Sequence, residues 1–282
     1  MTLATTGDLV AAAARRGGAV PAFNVITLEH AEAVVAAAAR TGLPVVLQVS
    51  ENAVRYHGGD VLPVAAACRA LAERAPVEVA LHLDHVEDLD LLHRAADAGF
   101  SSVMVDCGRL PHDENTSTTR AAAEWAHAAG LWVEAELGYV GGKAGAPQSA
   151  HAPGVRTDVD EAVAFVSATG VDALAVAVGS SHAMTTRSAS LDHELVSRLA
   201  AALQVPLVLH GSSGVPDDEL RRAVAAGMRK VNIGTALNLA LTAAVRESLT
   251  TEPDLVDPRS YLDQGRAAMV ECAADLLVVV SG

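Results

Sequence analysis

Three histidines are the residues of this chain best suited to chemistry, because each stands at or just past the end of a short apolar run. They are His85, His182 and His210. Three imidazoles with one open coordination position form a recurrent catalytic zinc site. A lone histidine at a strand end is more often a hydrogen-bonded structural residue, so the spacing alone leaves both interpretations open. Because side chains alternate along a strand, His82 is expected to point away from His85.

Carboxylates accompany these histidines at neighbouring strand ends. Asp84 directly precedes His85, and a carboxylate beside a metal centre can move a proton at a reacting hydroxyl. The alternative is a buried acceptor that orients its neighbours. Asp106 and Glu136 end two adjacent runs. They are candidates either for binding a second cation or for hydrogen-bonding partners that fix the imidazoles.

Two segments rich in glycine and hydroxyl groups form a second constellation. They are His210-Gly211-Ser212-Ser213-Gly214 and Asn232-Ile233-Gly234-Thr235. The backbone amides of such turns, together with Ser and Thr hydroxyls, cradle a phosphate. Each turn alone can be a plain connection, but phosphate sites in barrels lie after strands seven and eight. The pair therefore predicts a phosphorylated substrate.

Carbanion formation next to a carbonyl is the chemistry that these residues support, since a divalent ion polarises the carbonyl and stabilises the enediolate. The competing route forms a Schiff base with a lysine. The chain has two lysines, Lys143 in a loop and Lys230 at the start of the last strand. We expect Lys230 to lie at the end of the barrel away from the site. The sequence therefore favours the metal route.

Eight short apolar runs, each followed by a segment with apolar residues at helical spacing, must position these side chains. The runs are Ala19–Asn24, Val45–Ser50, Glu78–Asp84, Ser101–Asp106, Trp132–Leu137, Ala173–Gly179, Pro206–Gly211 and Lys230–Thr235. The helical segments are Glu29–Arg40, Leu62–Arg74, Leu89–Ala98, Thr116–Ala129, Val159–Thr169, His193–Leu203 and Asp217–Ala226. Parallel strands need a crossover, so this alternation predicts an α/β fold.

The number of units favours a closed (β/α)8 TIM barrel over an open doubly wound sheet. The tail after Leu239 predicts two further helices around Pro253–Pro258. We therefore expect one domain, residues 1–282, in which extra C-terminal helices follow the barrel. The loop Gly138–Thr157 is long for a plain connection and is expected to act as a lid.

Composition excludes several classes of partner. The chain of 282 residues has a net charge of −14 and no basic cluster, so neither nucleic acid nor an anionic membrane is an expected partner. It has no run of about 18 apolar residues that could span a bilayer, and its N-terminus lacks the pattern of a signal peptide. Cys68, Cys107 and Cys272 stand singly, which is typical of a reduced, cytoplasmic protein.

Six segments, in order along the chain, resemble the class II fructose-bisphosphate and tagatose-bisphosphate aldolases. They are Pro21–Asn24, Leu81–His85, Val133–Gly138, Ala175–Gly179, Leu207–Gly211 and Lys230–Ile233. The resemblance runs from about Leu9 to about Ala273. It implies a zinc-dependent, reversible cleavage of a phosphorylated ketose to dihydroxyacetone phosphate and an aldehyde, by a homodimer or homotetramer.

The resemblance also implies a role for particular residues. Zinc would be held by His85, His182 and His210, with Asp84 as the catalytic proton donor. Asp106 and Glu136 match an alternative or second metal site, and Gly179 matches a position linked to Na⁺ or K⁺. The implied substrate-binding residues are Asn24, Gln48, Ser50, Gly179, Gly211, Ser212, Ser213, Asn232, Gly234, Thr235 and Arg259. Arg259 matches an arginine that reaches the far phosphate, often across a subunit boundary.

Three positions depart from the family pattern. Lys143-Ala144-Gly145 stands where acidic residues usually follow a Gly-Gly pair, Ala183 replaces a glycine, and Ala236 replaces a carboxylate. We expect the methyl group of Ala183 to narrow the phosphate loop. The first departure leaves the substrate open. Fructose or tagatose 1,6-bisphosphate is the default, and a deoxy-, sulfo- or inositol-derived sugar phosphate is the alternative, as is a metal-binding barrel without turnover.

Overall fold

A closed barrel of eight parallel strands forms the centre of the molecule. The computed structural model describes residues 3–138 and 156–282. The strands are β1 (Val20–Asn24), β2 (Val45–Ser50), β3 (Val79–Val86), β4 (Ser102–Val105), β5 (Trp132–Leu137), β6 (Ala173–Val176), β7 (Leu207–Leu209) and β8 (Met228–Ile233). Each strand pairs with the next along the chain, and β8 pairs with β1. The predicted (β/α)8 TIM barrel is confirmed.

Helices surround this barrel and extend beyond it at the C-terminal end. They are α1 (Thr6–Arg15), α2 (Leu28–Thr41), α3 (Glu51–Tyr56), α4 (Leu62–Arg74), α5 (Leu89–Leu92), α6 (His112–Ala128), α7 (Val159–Thr169), α8 (His193–Ala202), α9 (Asp217–Ala226), α10 (Thr235–Thr251) and α11 (Pro258–Ser281). The two extra C-terminal helices are confirmed as α10 and α11. No helix in the described ranges is long and apolar enough to cross a membrane.

The helix predicted over Leu89–Ala98 is shorter than expected. It ends at Leu92, and the amides of Arg94 and Ala95 then bond to carbonyls three residues earlier, at 3.1 and 3.0 Å. Such tight turns keep a helical hydrophobic spacing without continuing an α-helix. Helix ends are predicted more accurately where a glycine follows. Helix α7 ends at Thr169, and the following Gly170 has a left-handed φ of 71°.

The barrel interior changes from apolar at its base to polar at its mouth. At the base, Leu9 and Val10 of α1 pack against the inward-facing Val46 and Ala80 of the strands. Side chains of a strand alternate, so every second residue enters the barrel, and toward the carboxyl ends several of these inward residues are polar, as Gln48 and Glu134 are. The functional groups are thus concentrated at the carboxyl ends of the strands, while α1 closes the opposite end.

Candidate active site

A cavity of about 520 Å³ opens at the carboxyl ends of the strands. The predicted site residues that line it are Asn24, Gln48, Ser50, Asp84, His85, Asp106, His182, Gly211, Ser212, Ser213, Asn232, Gly234 and Thr235. His210 and Glu136 are buried next to it. The fold therefore brings most of the predicted residues to one place. Gly179 and Arg259 are not part of the cavity wall.

Four of these residues form a candidate metal centre. One potential ligand atom from each of His85, Glu136, His182 and His210 lies within 4.8 Å of the others. The ring centroid of His85 lies 5.2 Å from that of His182 and 5.0 Å from that of His210. Imidazole and carboxylate donors converging on one point fit a zinc ion.

Strand β3 presents both Asp84 and His85 to the cavity, although neighbouring side chains should face opposite ways. The backbone of His85 has a φ of 49°, and the pairing of β3 with β4 shifts register between Leu83 and Val86. A bulge of this kind redirects a side chain, and left-handed backbone outside glycine is found at functional sites. His82 follows the inward course of Asp84 and bonds to Ser102 at 2.7 Å, outside the metal group.

Carboxylates orient two of the imidazoles. The Nδ1 atom of His85 lies 2.8 Å from Asp106 Oδ2, which leaves Nε2 for a metal. His210 lies 2.8 Å from Glu134 through Nε2 and 2.8 Å from Glu136 through Nδ1. Because Glu134 is also ion-paired with Lys230, it is the natural acceptor for an Nε2 proton, and Nδ1 is then the ligand atom. Asp106 is therefore placed as an orienting partner, and Glu136 as a member of the donor group.

The charges around His210 control its protonation. Burial lowers the pKa of His210, but hydrogen bonds to Glu134 and Glu136 outweigh it and raise the pKa to about 9. Burial likewise lowers the pKa of His85, but the neighbouring carboxylates of Asp84 and Asp106 outweigh this effect and raise it. Burial raises the pKa of Glu134, yet Lys230 and His210 hold it well below its usual value. The site is thus built to hold positive charge.

Asp84 lines the cavity, and its Oδ2 atom is held by an amide and lies 3.9 Å from His85 Nε2 at the candidate metal centre. Its Oδ2 atom accepts a hydrogen bond from Gln48 Nε2 at 3.0 Å, and the same amide nitrogen donates to Asn24 at 3.0 Å. The Oδ1 atom is buried and has no hydrogen-bond partner within the described residues. This arrangement suits a group that exchanges a proton with a substrate hydroxyl.

The expected remote position of Lys230 is wrong. Its strand begins at Met228, and its fully buried ammonium donates to Gln48 at 3.2 Å, to Glu134 at 2.8 Å and to Asn232 at 2.7 Å. An ammonium group has donors only, so the amide oxygens of Gln48 and Asn232 face it and their NH₂ groups point away. Lys230 itself does not line the cavity, so its use as a Schiff-base amine is still disfavoured. Lys143 lies outside the described residues.

The predicted phosphate cradle is tightly packed. Gly211 has a φ of 66°, and a Cβ atom there would lie 2.5 Å from the carbonyl carbon of Ser181. Ser213 accepts a hydrogen bond from the amide of Ala236 at 3.1 Å, in the first turn of α10. A helix N-terminus beside a glycine turn binds anions. Ser212 is less available, because its hydroxyl donates to Leu209 O at 3.1 Å.

The structure places the last two predicted residues outside the cavity. The guanidinium of Arg156 and the carbonyl of Ser190 pack against Gly179, whose φ is 125°. Arg259 lies at the start of α11, where its side chain is 88% exposed and ion-paired with Asp257 at 2.6 Å. The chain's own Arg259 therefore does not reach its own cavity.

Two arginines of the cavity wall, Arg55 and Arg109, were not predicted. Arg55 follows Ser50 on α3, and Arg109 follows Asp106 in the turn before α6. The only signal in the sequence is that each lies a few residues past a strand end. A helix as short as α3 has no clear hydrophobic period, and this left Arg55 without a predicted position.

A TIM barrel whose mouth joins a candidate metal centre to a glycine-rich anion cradle defines the class of protein: a barrel enzyme with its active site at the carboxyl ends of the strands. The family model for class-II fructose-bisphosphate aldolase matches residues 4–281. The chain belongs to this family, and it is an aldolase, a carbon–carbon lyase.

Relatives and solved structures agree with this assignment. The fructose-bisphosphate aldolase of Geobacillus stearothermophilus is 39% identical over 272 residues, which cover 95% of this chain and 93% of that protein. The YdjI aldolase of Escherichia coli K12 is 31% identical, with a TM-score of 0.85, and covers 99% of this chain and 97% of its own. The fructose-bisphosphate aldolase of Campylobacter jejuni shares the fold at 23% identity, with a TM-score of 0.81 over 99% of this chain and 95% of its own.

Proposed function

We propose that the protein is a zinc-dependent ketose-bisphosphate aldolase that cleaves fructose or tagatose 1,6-bisphosphate reversibly to dihydroxyacetone phosphate and an aldehyde. The convergence of four donor atoms within 4.8 Å, beside Asp84 and the phosphate cradle, carries this proposal. His85, His182 and His210 would hold the ion, with Glu136 as the further donor. When bound, zinc polarises the substrate carbonyl and stabilises negative charge next to it.

Asp84 would handle the proton on the C4 oxygen. In cleavage its carboxylate takes the hydroxyl proton as the C3–C4 bond breaks. C4 becomes the aldehyde carbon, and the electron pair stays on C3, conjugated with the C2 carbonyl. In the addition direction Asp84 returns the same proton. The hydrogen bond from Gln48 keeps the carboxylate in place during both directions. The loop carboxylate that handles the proton at C3 in the family is replaced by Lys143-Ala144-Gly145, which lie outside the described residues.

The cradle would bind the phosphate of the dihydroxyacetone phosphate half. Gly211, Ser213 and Thr235 supply backbone and hydroxyl donors at the N-terminus of α10. The amide of Asn232 faces the cavity with its NH₂ group, because its oxygen accepts from Lys230 at 2.7 Å. Ser212, Gly234, Asn24 and Ser50 complete the polar wall.

Further parts of the proposal concern the surroundings of the site. We propose that residues 1–282 act as a single domain, in the cytoplasm, with a role in carbohydrate breakdown such as glycolysis. The remoteness and 88% exposure of the Arg259 side chain support a role in a neighbouring subunit's cavity, within a homodimer or homotetramer. Asp106 is an alternative metal ligand, and a monovalent cation near Gly179 is a further element of the proposal.

The central experiment follows cleavage of fructose and tagatose 1,6-bisphosphate with and without a chelator. Cleavage should be lost with the metal and return with zinc; full activity of the zinc-free protein would refute the metal mechanism. In Asp84→Asn, cleavage should fall by about 10²-fold or more. Exchange of the C3 proton of dihydroxyacetone phosphate should persist in this variant, because Asp84 acts at the C4 oxygen. Loss of both reactions with zinc retained would contradict that role.

A modified sugar phosphate is the second candidate substrate, and the departure at Lys143-Ala144-Gly145 favours it. A missing loop carboxylate changes how the proton at C3 is handled. The substrate panel should therefore include a deoxyketose phosphate, a sulfoketose phosphate and an inositol-derived keto acid phosphate. Preference for one of these by kcat/KM would replace the default substrate. A zinc-loaded protein that supports neither exchange nor cleavage would indicate a binding module.

A further inference from the structure

Two arginines line the cavity outside the phosphate cradle. Arg55 lies on α3, directly after β2, and Arg109 lies between β4 and α6. Among the described residues, they are the only lysine or arginine side chains on the cavity wall. Neither has a role in the candidate metal centre or in the cradle.

The closed strand order places Arg109 across the mouth from the cradle, and Arg55 between them on the β2 side. In an eight-stranded barrel β3 lies across from β7, and β4 lies across from β8. Gly211 and Thr235 follow β7 and β8, whereas Arg55 and Arg109 follow β2 and β4. The candidate metal centre lies between them. A ketose bound by one phosphate at the cradle and by its carbonyl at the metal therefore extends its aldehyde half toward the arginines.

Each arginine is anchored but keeps donors for a ligand. Arg55 is ion-paired with the buried carboxylate of Glu51, and Arg109 Nε lies 3.4 Å from Glu87 Oε1. Their side chains are 61% and 70% exposed. A guanidinium has five N–H donors, and these contacts engage only part of them. The second oxygen of Glu51 accepts from the amide of Glu87 at 2.7 Å, which links the two anchoring carboxylates.

The negative charge of the cavity wall makes the two arginines the groups that can attract an anionic substrate to this side. The cavity is also lined by the carboxylates Glu51, Asp84, Glu87 and Asp106, and the whole chain has a net charge of −14. An anionic group at this side is repelled unless a cation faces it. Arginine binds phosphate and carboxylate through two parallel hydrogen bonds, which adds selectivity to the attraction.

We propose that Arg109, with Arg55 beside it, forms a subsite for an anionic group, phosphate or carboxylate, on the aldehyde half of the substrate. The inference rests on the proposed aldolase function. It assigns this specificity to arginines of the same subunit, whereas the role proposed for Arg259 requires a neighbouring one.

The test measures the addition of dihydroxyacetone phosphate to three aldehydes: glyceraldehyde 3-phosphate, succinic semialdehyde and uncharged glyceraldehyde. In Arg109→Gln, kcat/KM should fall about tenfold or more for the charged aldehyde that the subsite serves. For glyceraldehyde the change should stay below about twofold. Arg69→Gln is the matched control, since Arg69 is an exposed arginine outside the cavity with a carboxylate partner, Glu73, at 2.7 Å.

The outcomes separate the possible ligands. A loss confined to glyceraldehyde 3-phosphate supports a phosphate subsite, and a loss confined to succinic semialdehyde supports a carboxylate subsite. An equal effect on all three aldehydes, or none, overturns the proposal. It is also overturned if Arg259→Gln loses the preference for charged aldehydes while Arg109→Gln keeps it.

A second variant guards against misfolding. Arg55→Gln removes the partner of a buried carboxylate, so Arg55→Lys is used instead, because it keeps the charge but loses the two-pronged geometry. Arg55→Lys should weaken the preference for the charged aldehyde and leave the melting temperature unchanged. If neither Arg55→Lys nor Arg109→Gln changes that preference, the subsite is refuted. If the unaltered protein adds none of the aldehydes, the aldolase proposal itself fails. Addition of glyceraldehyde with no arginine effect rejects the subsite alone.

Discussion

At the residue scale, His210 contacts two carboxylates at once, and its proposed role as a metal ligand would make a proton and the ion compete for the same imidazole. Hydrogen bonds to Glu134 and Glu136 overcome the cost of burial and raise the pKa of His210 to about 9. At neutral pH the metal-free protein therefore holds a proton on both nitrogens of this ring. A metal ligand must be unprotonated on its binding nitrogen, so metal binding releases that proton.

Zinc affinity should consequently rise with pH up to about 9, the pKa of His210. Below this pKa the affinity should fall about tenfold per pH unit for each proton displaced. Titration calorimetry at pH 7.5 in two buffers of different ionisation enthalpy should show at least about one proton released. The control is His193→Gln, which alters a histidine that pairs with Glu219 at 3.0 Å, away from the centre. A pH-independent affinity between pH 6 and 8 would contradict the competition.

Lys230 is the second residue whose contacts predict a measurable effect. Lys230→Met leaves Glu134 buried without its ion-pair partner, and breaking a buried pair in this way costs about 3–5 kcal/mol. The free energy of unfolding in urea should fall by this amount at pH 7. The double variant Lys230→Met/Glu134→Gln should recover much of the loss, because no unpaired charge remains. Equal stabilities of the single variant and the original protein would refute a stabilising pair.

At the element scale, the barrel could be predicted from sequence, but the directions of key side chains could not. Apolar runs and helical spacing are local patterns, and they located all eight strands and most of the helices after them, although α3 was missed and α5 is shorter than predicted. The turn of His85 into the cavity depends on a bulge against β4, and the contacts of Lys230 join residues far apart in the chain. Helix α1 was missed too, because an alanine-rich segment with a short apolar face shows little of its role at the barrel base.

The connection after β6 carries the clearest local strain. Ala183 has a φ of 57°, in the left-handed region that favours glycine. It lines the cavity between His182 and the cradle. The methyl group therefore both strains the backbone and occupies space where a phosphate would approach.

Ala183→Gly should raise the free energy of unfolding by roughly 0.5–1 kcal/mol, because the left-handed strain disappears. The wider loop should also lower KM for a phosphorylated substrate. The same substitution at the exposed Ala243 in α10 should instead destabilise by about 0.5–1 kcal/mol, as glycine does within a helix. Thermal and urea unfolding of the two variants will distinguish the effects. Destabilisation at both positions would show that Ala183 is not strained.

At the scale of the whole molecule, the role proposed for Arg259 at the start of α11 requires a second copy of the chain. Arg259 is 88% exposed and lies beside a surface cavity lined by residues such as Glu29, Glu32 and Arg266, apart from the candidate active site. If it serves a neighbouring subunit, the two defects of Asp84→Asn and Arg259→Gln reside in different sites of a mixed dimer.

Mixing these two variants should then restore activity. In a mixed dimer one site contains an intact Asp84 and faces an intact Arg259, so random exchange should give about a quarter of the normal activity. The measurement is kcat/KM after unfolding and refolding the mixture, with each variant alone treated in the same way. Activity that never exceeds the sum of the separate variants would rule out an exchange of Arg259 between subunits.

The closed order of the eight strands has a consequence for substrate size. The cradle after β7 and β8 and the arginines after β2 and β4 are fixed by hydrogen-bonded strands that close on each other. Such a frame cannot widen or narrow to follow a ligand, in contrast to two domains joined by a hinge. The barrel would therefore set the distance between the cradle and the proposed subsite, and a sugar whose anionic ends are too close together would bind at one end only.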